Sequence, residues 1–170
     1  MIKPLSILLM LLFAGGSVQA ASKQAVIGIK LTVEQACEAG SRTSGATLSF
    51  GVLDMGTVPT LLNQVQASGT INGAGAIRVK CAPGVGYKVS LGKGLNSGGG
   101  LRKMAGPQGG LIEYGLYQDS GYTRIWDDTH VLSVQGTGSE KLLPVYAVVK
   151  PQRTPAAGTY RDTVQVLVEW

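Results

Sequence analysis

Ala25, Ile27, Ile29, Leu31 and Val33 alternate with Val26, Gly28, Lys30, Thr32 and Glu34. This period of two narrows the folding of the chain more than any other feature. Successive side chains of an extended strand point to opposite faces, so the segment carries one apolar face. The pattern returns at Ile77-Arg78-Val79-Lys80-Cys81 and at Tyr87-Lys88-Val89-Ser90-Leu91. It returns again at Val164-Gln165-Val166-Leu167-Val168-Glu169-Trp170, whose even positions are apolar. Residues 47–52 alternate briefly, and residues 111–117 read as a strand rich in aromatics. Residues 131–134 and 145–149 are short β-branched runs.

Turn signals separate these runs: Ala82-Pro83-Gly84, Ser97-Gly98-Gly99-Gly100, Gly106-Pro107-Gln108-Gly109-Gly110, Asp119-Ser120-Gly121 and Pro155-Ala156-Ala157-Gly158. Glycine supplies 25 of the 170 residues, about twice its usual share. It does not recur at every third position, which excludes collagen. In a helix interior it costs roughly 1 kcal/mol against alanine, so a helix bundle is disfavoured. Many short strands with glycine-rich turns predict an all-β sandwich or barrel. One short helical turn is expected over residues 59–65. Residues 92–110 read as a long loop with one buried anchor or none.

Lys3 is the only charge in the first 22 residues, and an apolar run follows over residues 5–14. It ends at Gly15-Gly16-Ser17-Val18-Gln19-Ala20, the layout of a secretory signal peptide cleaved after Ala20. The run is about half the ~20 residues a membrane span needs. The expected organisation is a signal peptide over 1–20, an N-terminal strand segment over 21–36 and one domain over 37–170. The mature chain is expected to be exported, soluble and without a membrane span. In an oxidising compartment an even pair of cysteines is most simply one disulfide, Cys37–Cys81. A reactive or metal-binding pair would need neighbours that the flanking residues do not single out.

The residues offer little chemistry. His130 is the only histidine, and no serine lies in a G-x-S-x-G elbow. Asp127 and Asp128 are adjacent, so a strand would point them apart, and a solvated turn is the better reading. Gly73-Ala74-Gly75-Ala76-Ile77-Arg78 lacks the third glycine of a dinucleotide loop and leads into a strand. The formal charge of +5 comes from scattered residues, with Arg102-Lys103 the only adjacent basic pair. Nucleic-acid binding requires a basic stripe, so no nucleic-acid partner is expected. No catalytic residue, cofactor or metal is called for.

The two ends are more informative. The alternating segment at 25–33 begins within a few residues of the expected cleavage site. The closing strand, residues 164–170, is strongly apolar, with Glu169 its only charge. Exposed strand edges template aggregation and are usually blunted by charge or proline. Either this strand is central in a closed sandwich, or another chain pairs its edge.

Four stretches, in order, span nearly the whole mature chain. The first is the signal peptide followed by the alternating strand and Cys37. The second runs from Ile77 to Gly84 and continues through Tyr87-Lys88-Val89-Ser90-Leu91. The third is Leu111-Ile112-Glu113-Tyr114-Gly115-Leu116-Tyr117-Gln118-Asp119, continuing through Thr123 to Trp126-Asp127-Asp128. The fourth is Pro144-Val145-Tyr146-Ala147-Val148 with the ending from Pro155 to Val166. Together they resemble the spore coat protein U domain family, the pilin-type subunits of archaic chaperone–usher pili. Ala147 departs from the pattern, since relatives often carry glycine there.

The resemblance implies an incomplete immunoglobulin-like β-sandwich that lacks its final strand. In the family a strand from a periplasmic chaperone first fills the gap. An outer-membrane usher then assembles the fibre, in which the N-terminal strand of a neighbouring pilus subunit replaces the chaperone's. Carried onto this sequence, Ile27, Ile29, Leu31 and Val33 become donor side chains, with Ala25 at the margin. Val164, Val166, Val168 and Trp170 become the acceptor strand. The implied destination is the cell surface, reached through the periplasm, and the implied role is adhesion and biofilm formation. Two alternatives remain: a non-fibrous secreted coat protein of spores or cysts, and a secreted β-sandwich binding module.

Overall fold

The computed structural model describes residues 23, 27–32, 36–42, 48–69 and 75–170. The expected signal peptide, Ala25 and Val33 lie outside the described residues. The chain divides into two compact units, Met1–Val33 and Glu34–Trp170. In the first, residues 27–32 form no strand, and Ile27, Ile29 and Leu31 are more than four-fifths exposed. The strand expected from their alternation is therefore not formed over these residues. Apolar alternation supplies a face, whereas a strand also needs a neighbour to pair its backbone.

The second unit is all-β, as the alternation predicts. Its strands are β1 (Cys37–Ala39), β2 (Ser41–Arg42), β3 (Leu48–Ser49), β4 (Val65–Ser68), β5 (Ala76–Cys81) and β6 (Gly86–Leu91), followed by β7 (Arg102–Ala105), β8 (Leu111–Tyr117), β9 (Leu132–Gln135), β10 (Glu140–Pro144), β11 (Tyr146–Val149) and β12 (Val166–Glu169). All pairings among them are antiparallel. The sheets run β1-β5-β10, β4-β11-β8-β7 and β12-β6-β9, with β2-β3 as a small ribbon.

β5 and β6 carry the centre of the core. Ile77, Val79 and Cys81 of β5 and Tyr87, Val89 and Leu91 of β6 are all buried. They pack with Leu116, Trp126, Leu143, Val145 and Ala147 from the other elements. Each such side chain contributes roughly 1.5–3 kcal/mol by leaving water. Trp126 is fully enclosed, and its Nε1–H donates to the Val89 carbonyl at 3.0 Å, so its one polar atom is satisfied. The turn between β5 and β6 places Gly84 at φ +80°, where a Cβ would be strained.

Two expectations are corrected. Residues 59–65 do not form a helical turn. The Leu61 amide donates to Thr154 Oγ1 and the Leu61 carbonyl accepts from the Gln152 amide, so long-range partners replace helical ones. Residues 92–110 are not simply a loop. They contain β7, which pairs with β8, and a three-residue 3-10 turn at Pro107–Gly109. Arg102, the first residue of β7, is buried. An arginine reads as a surface residue until carbonyls converge on it.

Cys37 and Cys81 face each other across the β1–β5 ladder and are disulfide-bonded. β1 has only three residues, so its ladder alone holds it weakly. The bond closes a loop with a sequence separation of 44. Chain-entropy arguments then give a loss of about 4 kcal/mol for the Cys37→Ser, Cys81→Ser double variant, read as a lower urea midpoint.

Candidate functional site

β12 forms because Val166 and Val168 are β-branched and lie opposite a buried strand. Val166 pairs with Leu91, Leu167 with Ser90, Val168 with Val89 and Glu169 with Lys88. The Gly92 amide extends this ladder by donating to the Gln165 carbonyl at 2.8 Å. β12 lies at the end of its sheet, so the backbone groups pointing away from β6 have no strand partner among the described residues. β10 is also an edge strand, but it is blunted by Glu140, Lys141 and Pro144. β12 offers only Glu169.

The faces of β12 differ. Val164, Val166 and Val168 pack against the core that holds Val89 and Trp126, yet remain only partly buried. Leu167, on the other face, is 54% exposed. Trp170 lies beyond β12 and is 60% exposed. It borders a shallow depression with Tyr87, Lys88, Ser133 and Val134. Three of the four expected acceptor residues are thus together on the core, and Trp170 is outside that group. β1 is likewise an edge strand, and its Cys37 and Ala39 are partly buried against the same core. β9, the far end of β12's own sheet, places Leu132 and Val134 in the same condition, so three sheet edges open on one core, each carrying half-covered apolar side chains.

The approach to β12 is held by residues that sequence reasoning missed. Arg161 pairs through its backbone with Ala105, at the outer edge of β7. Asp162 Oδ1 accepts from the Leu95 amide, the Thr163 amide and Asn96 Nδ2, and its Oδ2 accepts from the Tyr114 hydroxyl at 2.6 Å. Arg102 donates from Nε to the Gly92 carbonyl, and from Nη2 to the Leu91 and Trp126 carbonyls. Burial pushes the Tyr114 phenol well above its ordinary range, and its bond to Asp162 adds to the shift. Burial lowers the Arg102 guanidinium, against the pull of Tyr114, Asp127, Asp128 and Asp162.

The histidine has a local role. Asp127 Oδ1 accepts from the Thr129 and His130 amides and the Thr129 hydroxyl, and lies 2.9 Å from His130 Nδ1. Burial alone would raise the Asp127 carboxyl, but these hydrogen bonds outweigh it and hold the group below the usual range. Asp127 thus organises a turn directly after Trp126. Among the described residues no group of three His, Cys, Asp or Glu is placed to hold a metal. No helix among them is long and apolar enough to cross a membrane.

The face assignment of β12 has a direct test. Val168→Asp places a carboxylate against the core and should destabilise by about 2 kcal/mol or more, whereas Leu167→Asp should stay within about 0.5 kcal/mol. Urea unfolding of the two variants beside the unsubstituted chain measures the difference.

Comparison with known proteins agrees with this geometry. The chain is 30% identical to Protein U of Myxococcus xanthus over 162 residues, covering 90% of this chain and 88% of the relative. Among solved structures, it resembles a chain in the crystal structure of the CsuC–CsuE chaperone–tip adhesion subunit pre-assembly complex from archaic chaperone-usher Csu pili of Acinetobacter baumannii. That likeness has a TM-score of 0.50 and 25% identity, and covers 82% of this chain but 40% of the solved chain. The Spore Coat Protein U domain profile matches residues 23–167. With an all-β body, open sheet edges on one core and this match over most of its length, the chain belongs to the Spore Coat Protein U domain family.

Proposed function

We propose that this chain is a structural subunit of an archaic chaperone–usher pilus and polymerises by donor-strand exchange. The observation that carries the reading is β12, an unblunted edge strand whose valines are half-covered. Such an edge suits β-strand addition, in which main-chain hydrogen bonds supply pairing and alternate side chains fill pockets. The sequence contains a segment of the matching kind: Ile27, Ile29, Leu31 and Val33, with Ala25 at its margin. Ile27, Ile29 and Leu31 are exposed and so available to a neighbour. Each could contribute roughly 1.5–3 kcal/mol on burial, enough together to offset the ordering cost of association.

In this reading residues 1–20 direct export, 21–36 donate a strand and 37–170 accept one. A periplasmic chaperone completes the body first, an outer-membrane usher delivers it, and neighbouring subunits replace the chaperone. The product is a surface fibre supporting adhesion and biofilm formation. The disulfide suits the role, since Cys37 ties the start of the body to β5 immediately after the donor segment. The match to the Spore Coat Protein U domain favours a second reading, a coat protein that uses the same fold without forming fibres.

An Ile27→Asp, Ile29→Asp double variant separates donor from body. It should be exported and bind chaperone at wild-type levels, yet yield no fibres in electron micrographs of cells that pilate with the unsubstituted chain. Normal fibres from that variant would sink the donor assignment.

A further inference from the structure

We propose that the buried Arg102, with Tyr114 and Asp162, is a latch that fixes the start of β12 and so positions the edge on which a complementing strand is received. The positioning role rests on the strand-addition reading; the latch itself stands on the geometry.

Residues 161–166 cross between two sheets. Arg161 is bonded to Ala105 at the edge of β7, with N–O distances of 2.8 and 2.9 Å, while Val166 pairs with Leu91 in the β12-β6-β9 sheet. Such a corner has few ladder bonds of its own. The Asp162 carboxylate supplies the missing connections by gathering the loop after β6, through Leu95 and Asn96, and β8, through Tyr114. Gly94 sits against this carboxylate at φ +83°, so the loop follows a path that favours glycine.

Arg102 secures the other side of the corner. It is 8% exposed and bonds three carbonyls at 2.8, 2.9 and 3.0 Å. Two of them, Leu91 and Gly92, lie at the end of the strand that is β12's ladder partner, and the third belongs to Trp126. No carboxylate bonds it among the described residues. A buried guanidinium is a costly way to fill space, and a hydrocarbon of similar volume often stabilises a fold better. Here a hydrocarbon would leave three converging carbonyls without that donor. Arginine's planar fork meets them together, whereas lysine presents a single point charge. The grip is one-sided. It holds residues 161–165, while among the described residues the other end of β12 has its ladder with β6, which ends at Glu169 opposite Lys88.

The test is amide hydrogen exchange on the mature chain, with binding of a synthetic peptide of residues 23–36 followed on the same samples. Tyr114→Phe removes one hydroxyl and keeps the ring; Arg102→Lys keeps the charge and loses the fork. In both, amides over 163–169 should exchange about tenfold faster, with β5, β10 and β11 unchanged and peptide affinity weakened by a similar factor. Unchanged exchange over 163–169, or equal acceleration of every strand, would overturn the latch; the second is what a merely structural role gives. Should either variant fail to fold, Asp162→Asn, near-isosteric, carries the same comparison. A wild-type chain that does not take up the peptide defeats the strand-addition reading, while the exchange pattern still decides the latch.

Discussion

A β-strand has hydrogen-bonding groups on both edges, and β12 is paired on one. Much of the structure can be organised around this constraint. Its valines lie on the core but are not covered by it. β1, an edge of another sheet, leaves Cys37 and Ala39 in the same condition. β9, at the far end of β12's own sheet, leaves Leu132 and Val134 so as well, and open edges thus lie above one apolar interior. In the reading proposed above, such an edge would accept a strand from another chain.

An open edge is useful only if it keeps its position while unpaired. Polar groups of the body gather around the approach to this edge. Trp126 is enclosed and bonded to Val89. Its carbonyl, with those of Leu91 and Gly92, is drawn to Arg102. Asp162 then joins the strand entry to Tyr114 and to the loop after β6. Buried polar networks that are fully satisfied rigidify what they join. Among the described residues no buried side-chain donor or acceptor is left without a partner. The disulfide does comparable work for β1, whose three-residue ladder would hold it weakly.

Much of this was legible in the sequence. The alternations at 77–81, 87–91 and 164–170 locate β5, β6 and β12 within a residue or two, because half-buried strands impose a period of two. The cysteine pair followed from two cysteines in a chain expected to be exported. β4, β7 and β10 were not anticipated, since Val65-Gln66-Ala67-Ser68, Arg102-Lys103-Met104-Ala105 and Glu140-Lys141-Leu142-Leu143-Pro144 carry weak or conflicting patterns and are strands because neighbours pair with them. A helical turn was expected over residues 59–65, but distant partners at 152 and 154 took the backbone groups of Leu61. Trp170 shares a sequence parity with Val166 and Val168, yet parity predicts a face only while the strand continues, and β12 ends at Glu169.

By itself the sequence determined the all-β class, the faces of the central strands and the presence of an apolar alternating segment ahead of the body. These are local properties, set by the two-residue repeat of an extended chain. Only the tertiary structure decided that β12 lies at a sheet edge, that its valines are half-covered, and that Arg102 and Asp162 hold its approach. Those facts depend on which strands lie side by side and on carbonyls converging from separate segments, and no local pattern encodes either.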